Sequence, residues 1–209
     1  MAFNKTTLQK SIENVFKAMT DGNTDTFSNG ISNAIVSFVL TGQVKTNDAG
    51  TVPGGVYTGG QGNGTLTVTP SSCASILKNA LNRMKNMTSG GDNYLAEEMG
   101  QGIKKMADEG KVVTVVTGGV LQPPGSVPPV PGYGGPAQGT ILCIEAPLVA
   151  KLKSVFQKMY NSREQSGFDG NKEFAKELAD AVNTFYTSGQ ITTQGQGNIT
   201  GSVGAGTIA

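Results

Sequence analysis

One spacing pattern recurs three times along this chain, and it limits the available folds more than any single motif does. Leu8, Ile12, Val15, Phe16 and Met19 have the three-and-four spacing of a helix with one buried face. The same offsets pick out Cys73, Leu77, Ala80, Leu81 and Met84, and then Leu148, Leu152, Val155, Phe156 and Met159. A second block aligns Phe27, Ile31, Ala34, Ile35 and Phe38 with Leu95, Met99, Gly102, Ile103 and Met106, and with Phe174, Leu178, Ala181, Val182 and Phe185. Each second block runs into a tail with glycine at its second position: Thr41 to Thr46, Glu109 to Thr114 and Ser188 to Thr193. After an interval of variable length comes a closing motif, Gly64-Thr65-Leu66, Gly139-Thr140-Ile141 or Gly206-Thr207-Ile208. Recurrence at this period points to a repeated supersecondary unit.

The pattern predicts an α+β fold of three tandem repeats, over residues 1–70, 71–145 and 146–209. Each repeat reads as an antiparallel helix pair followed by a short β-hairpin with a long Gly/Pro-rich loop. Helices are expected from Asn4 to Met19, Asn23 to Leu40, Ser71 to Met87, Asn93 to Asp108, Pro147 to Ser162 and Asp169 to Tyr186. Asn4 or Thr6, Asn23 or Asp25, and Ser71 or Ser72 offer side-chain oxygens for first-turn amides. Short strands are expected at Gln43–Thr46, Thr65–Thr69, Val112–Val116, Ile191–Thr193 and Gly206–Ile208. The stretches 47–64 and 118–138 read as long pliable tips, the second stiffened by Pro123, Pro124, Pro128, Pro129, Pro131 and Pro136. The chain stops one residue after Ile208, which predicts that three closely associated units make up the protein.

Charge and composition narrow the function. A net charge of +1 and a pI near 7.7 supply no basic footprint for nucleic acid. The start of the chain lacks the apolar core of a signal peptide, and no stretch approaches a membrane span, so synthesis in a cytoplasm is expected. There is no histidine, which removes the commonest general base and imidazole metal ligand. Cys73 and Cys143 stand at apolar positions of the repeat and read as buried free thiols rather than zinc ligands. Asp21, Asn23 and Asp25, like Asp169, Asn171 and Glu173, start a calcium-loop spacing. Thr26 stands where that loop needs glycine, and Ser32 where it needs its bidentate acid; Phe174 and Asp180 fill those places in the third unit. Helix capping explains these acids better. Gly59 to Gly64 lacks the lysine and hydroxyl of a phosphate loop, and the PxxP spacing at Pro128 to Pro131 reads as loop shape. No catalytic residue, cofactor site or metal site is expected, and the protein reads as a non-enzyme.

Separate hairpins leave strand edges open, and open edges invite pairing with another chain. That is the profile of an assembly component, with a homo-oligomer among its possible forms. The tails ending at Thr46, Thr114 and Thr193, the Gly/Pro-rich intervals and the three Gly-Thr-Leu/Ile motifs resemble small virion structural proteins of tailed, T4-like bacteriophages. The resemblance implies a particle component without a catalytic residue, located in the virion after synthesis in the host cytoplasm. Its partners would be other virion proteins, reached through strand edges and Gly/Pro-rich loops. A head decoration or cement protein on the capsid shell is the leading expectation. A neck, head-tail connector or tail component is the first alternative, and a receptor-binding adhesin contacting a host surface with its glycine-rich tips is the second; the scarcity of aromatics near those tips, Tyr57 and Tyr133 being the exceptions, argues against it.

Overall fold

A computed structural model describes residues 3–19, 23–125 and 127–209. Six helices match the expected periodic blocks: α1 (Lys5–Ala18), α2 (Thr24–Val39), α3 (Ser71–Met84), α4 (Gly91–Asp108), α5 (Glu145–Ser162) and α6 (Gly170–Thr187). Asn4 caps α1 by accepting from the Thr7 amide at 3.0 Å, Asn23 caps α2 through the Asp25 amide at 2.8 Å, and Asp169 caps α6 through the Lys172 amide at 3.1 Å. These bonds satisfy amides that have no partner inside the helix. The expected serine cap of α3 is absent: Pro70 holds the cap position, and the Ser72 hydroxyl donates to Glu109 at 2.6 Å instead.

The helices close into a ring. Besides the pairs α1/α2, α3/α4 and α5/α6, α2 packs on α3, α4 on α5, and α6 returns to α1. An ion pair spans each of the three seams between pairs: Lys78 with Asp25 at 2.8 Å, Lys153 with Glu97 at 2.6 Å and Lys5 with Asp180 at 2.6 Å. Such exposed pairs are worth about 0–1 kcal/mol each, so apolar contact holds the seams.

The expectation of three tandem helix-pair and short-hairpin units is overturned by the strands. β1 (Val44–Val52), β2 (Gly55–Thr67), β3 (Lys111–Gln122), β4 (Val130–Leu142), β5 (Gln190–Gly195) and β6 (Ser202–Ile208) form one closed antiparallel barrel in chain order, with β6 returning to β1. The stretches read as pliable tips are mostly strand, and β2 and β4 each run for 13 residues. Closure explains this. In a barrel every strand has two neighbours, so glycine-rich backbone can satisfy its amides and carbonyls on both sides without bulky side chains to favour extension. The free edges expected as partner sites are used up by the same closure.

Closure also gives the recurrent motifs their place. Gly64 of β2 faces Thr114 of β3, Gly139 of β4 faces Thr193 of β5, and Gly206 of β6 faces Thr46 of β1. Each closing motif therefore pairs with the tail of the following segment, the last pairing with the first. Two residues toward the helices, Leu66 faces Val112, Ile141 faces Ile191 and Ile208 faces Val44. These six side chains are buried and form a barrel floor continuous with the core of the helix ring. Segments 1–70, 71–145 and 146–209 are thus joined through a common core.

Within α5 and α6, Glu177 accepts from Lys151 and Lys158, both at 2.8 Å, with its side chain 13% exposed. The two ammonium groups hold its carboxyl down from 4.5 to about 2. A depressed carboxylate contributes stability that is present above the ordinary value and is lost as pH falls from 4.5 through about 2. The variant Glu177→Gln is therefore expected to melt below the parent at pH 7, and the gap should close as the pH approaches 2. Circular dichroism melts over this range check it; a gap independent of pH would contradict the pairing.

Candidate functional site

Alternation along β1 sends Val44, Thr46 and Asp48 inward and Lys45 and Asn47 outward. Asp48 is only 1% exposed, although it lies in a stretch that reads as loop. Its Oδ2 accepts from the Thr46 hydroxyl at 2.6 Å, and its Oδ1 from the Thr193 hydroxyl at 3.2 Å. The second bond crosses the barrel interior, because β5 is not a ladder neighbour of β1. Space for the carboxylate comes from Gly62 and Gly204, where a built Cβ would lie 3.0 Å from Oδ2 and 2.2 Å from Oδ1. The buried hydroxyls of Thr114 and Ser202 have no partner among the described residues. The buried carboxylate, held by two hydroxyls, ties β1 to β5 across the barrel interior.

Above this polar layer, Val52, Tyr57, Val116, Leu121, Ala137 and Ile199 fill the far end of the barrel. Tyr57, expected at an exposed tip, is fully buried there, and Gly60 and Gly119 leave room for its ring. Its hydroxyl points at the Tyr133 carbonyl at 3.5 Å, a weak bond. Burial, and then the charge of Asp48, raises the Tyr57 hydroxyl above its ordinary value of 10.0.

The other residues weighed from sequence stay apart. Asp25 pairs with Lys78, and Asp169 caps α6; Asp21 lies outside the described residues. Cys73 and Cys143 are buried free thiols, which burial pushes up to about 11 and about 12. Gly59 to Gly64 runs inside β2, and Pro131 lies in β4. Among the described residues no group of three or more His, Cys, Asp or Glu side chains is placed to hold a metal ion, and no helix is long and apolar enough to cross a membrane.

The outer wall of the barrel is the surface that departs from an ordinary one. The chain has sixteen basic and fifteen acidic residues, yet the six strands carry only Lys45, Asp48 and Lys111, and Asp48 is buried. Outward-facing valines on β3 meet uncharged neighbours on both sides. Val113 lies between Thr65 and Gln138, Val115 between Asn63 and Pro136, and Val120 between Thr58 and Pro131. Val115 is 60% exposed, and Leu142 and Ile144, at the helix-facing end of β4, are 64% and 71% exposed. Soluble surfaces usually intersperse charges of both signs, at roughly 25–35% of positions. Loss of charge with retention of apolar and amide side chains is the composition of an interface core. Sequence inspection missed this wall because charge was counted over the whole chain and not element by element. Compared with protein-family models, curated proteins and solved structures, the chain matches none.

Proposed function

We infer that this protein is a non-enzymatic structural component of a tailed-phage particle, bound to the capsid shell as a decoration or cement protein. The observation carrying this reading is the charge-depleted barrel wall around Val113, Val115 and Val120, set against helices that bear the charge. A wall of this kind gives side-by-side contact with a neighbouring protein, and it replaces the strand-edge pairing that closure rules out. The virion location rests on the resemblance of the recurrent tails and closing motifs. Quantitative mass spectrometry of purified particles tests it: a copy number equal to the major shell subunit, or a simple fraction of it, is expected. A small ring-sized number would place the protein in the neck or tail, and absence from particles would overturn the reading.

A substitution tests the wall directly. Val115→Lys puts a charge on an outward side chain and leaves the interior intact, so its melting temperature is expected to stay near the parent's. Particle binding should weaken about tenfold or more, equivalent to about 1.4 kcal/mol, since the ammonium would be buried without a partner. Unchanged binding would remove β3 from the contact.

A further inference from the structure

At the end of the helix ring away from the barrel, a cavity of ≈ 530 Å³ opens between the helix pairs. Its wall is built from Phe16, Leu81 and Phe156, which share one place in the first recurrent block, and Phe27, Leu95 and Phe174, which share one in the second. Met19 and Met159 add flexible thioether side chains that conform to irregular guests. The volume falls within the range of roughly 300–1,000 Å³ typical of small-ligand sites. Every helix pair contributes to the wall, so the cavity depends on ring closure.

The rim, in contrast, is lopsided. Among the described residues, Thr24, Asn171 and Arg163 are its polar side chains, and Arg163 is its charged one. The offsets that align Met159 with Met19 and Met84 align Arg163 with Asn23 and Thr88, so a cation stands at one of three comparable places. The Arg163 guanidinium lies over the ring of the exposed Tyr160 at 4.1 Å. Its ion-pair partner, Glu164, is 3.5 Å away and 85% exposed, a screened contact that an incoming anion can displace.

The geometry points to a binding site for a medium-chain aliphatic carboxylate, with the chain in the Phe/Leu/Met cavity and the carboxylate on Arg163. An apolar wall fed by all three helix pairs takes an unbranched tail, and a single guanidinium fork matches one carboxylate through paired N–H bonds. The site is independent of the barrel wall and of any place in a particle.

Isothermal titration calorimetry of the full chain with decanoate below its micellar concentration, and with 1-decanol as the uncharged counterpart, tests it. Saturable binding of one decanoate per chain is expected, tighter than 1-decanol. Arg163→Gln, an exposed substitution that leaves the core untouched, should weaken decanoate about threefold to tenfold and leave 1-decanol unchanged. Leu81→Trp, which fills the cavity, should abolish binding of both while thermal melting stays cooperative; if that variant fails to fold, the Arg163→Gln comparison decides alone. Absence of saturable binding, or equal affinity for the two ligands with no effect of Arg163→Gln, would overturn the assignment.

Discussion

Removing residues 203–209 is expected to abolish cooperative folding of the whole chain, with effects far beyond its last segment. The deleted residues make up nearly all of β6, which pairs with β1 from Val44 to Gly50 and with β5 from Ile191 to Gln194. They also include Ala209, whose backbone exchanges two bonds with Gln43, at 2.8 and 3.0 Å. Their loss opens the barrel on two sides, exposes the inner faces of β1 and β5, and takes Ile208 out of the barrel floor. Each lost backbone bond costs about 0.5–1.5 kcal/mol net, and a domain of this kind has about 5–15 kcal/mol in total. Far-UV circular dichroism and urea unfolding of the truncated chain provide the check. Three independent hairpin units would behave otherwise, the first two retaining their transition, and that outcome would refute closure.

The helices are legible in the sequence because burial of one face leaves a direct trace in spacing: Ile12, Ile31, Leu77, Ile103, Leu152 and Val182 fall on the expected faces and are buried. The barrel is less legible, for two physical reasons. Glycine is a poor strand former in isolation, so 47–64 and 118–138 look like loops, although Val44, Thr46 and Asp48 already alternate inward and would carry β1 past Thr46. Which strand faces which is also a property of closure. The pairing of Gly206 with Thr46 joins opposite ends of the chain, and local spacing carries no trace of it. Asp48 illustrates the result: an acid among asparagine, alanine and glycine reads as a solvated turn residue until its ladder partner Gly204 and its neighbour across the barrel, Thr193, are known. The outer wall fails for a different reason, since an interface is marked by where charge is missing, and that requires the strands to be placed first.

The three closing glycines carry the second large effect, and it should be of similar size at all three sites. A methyl group on Gly64 would sit 1.9 Å from the Val113 carbonyl oxygen, on Gly139 1.9 Å from that of Thr192, and on Gly206 1.9 Å from that of Lys45. The obstacle is backbone in each case, so no side-chain rotation relieves it, and the strands must part at the seam where one segment meets the next. Gly64→Ala, Gly139→Ala and Gly206→Ala should each destabilise by about 1–3 kcal/mol, the usual cost of overpacking. That loss exceeds the gain of about 0.4–1 kcal/mol from a less flexible unfolded chain. Thr65→Ala, Thr140→Ala and Thr207→Ala, one residue along on the exposed face, should stay within about 0.5 kcal/mol of the parent. Urea midpoints of the six variants decide between the sites. If Gly206→Ala were harmless while Gly64→Ala was costly, the β6/β1 seam would be looser than the other two, and the barrel would be an open sheet in solution.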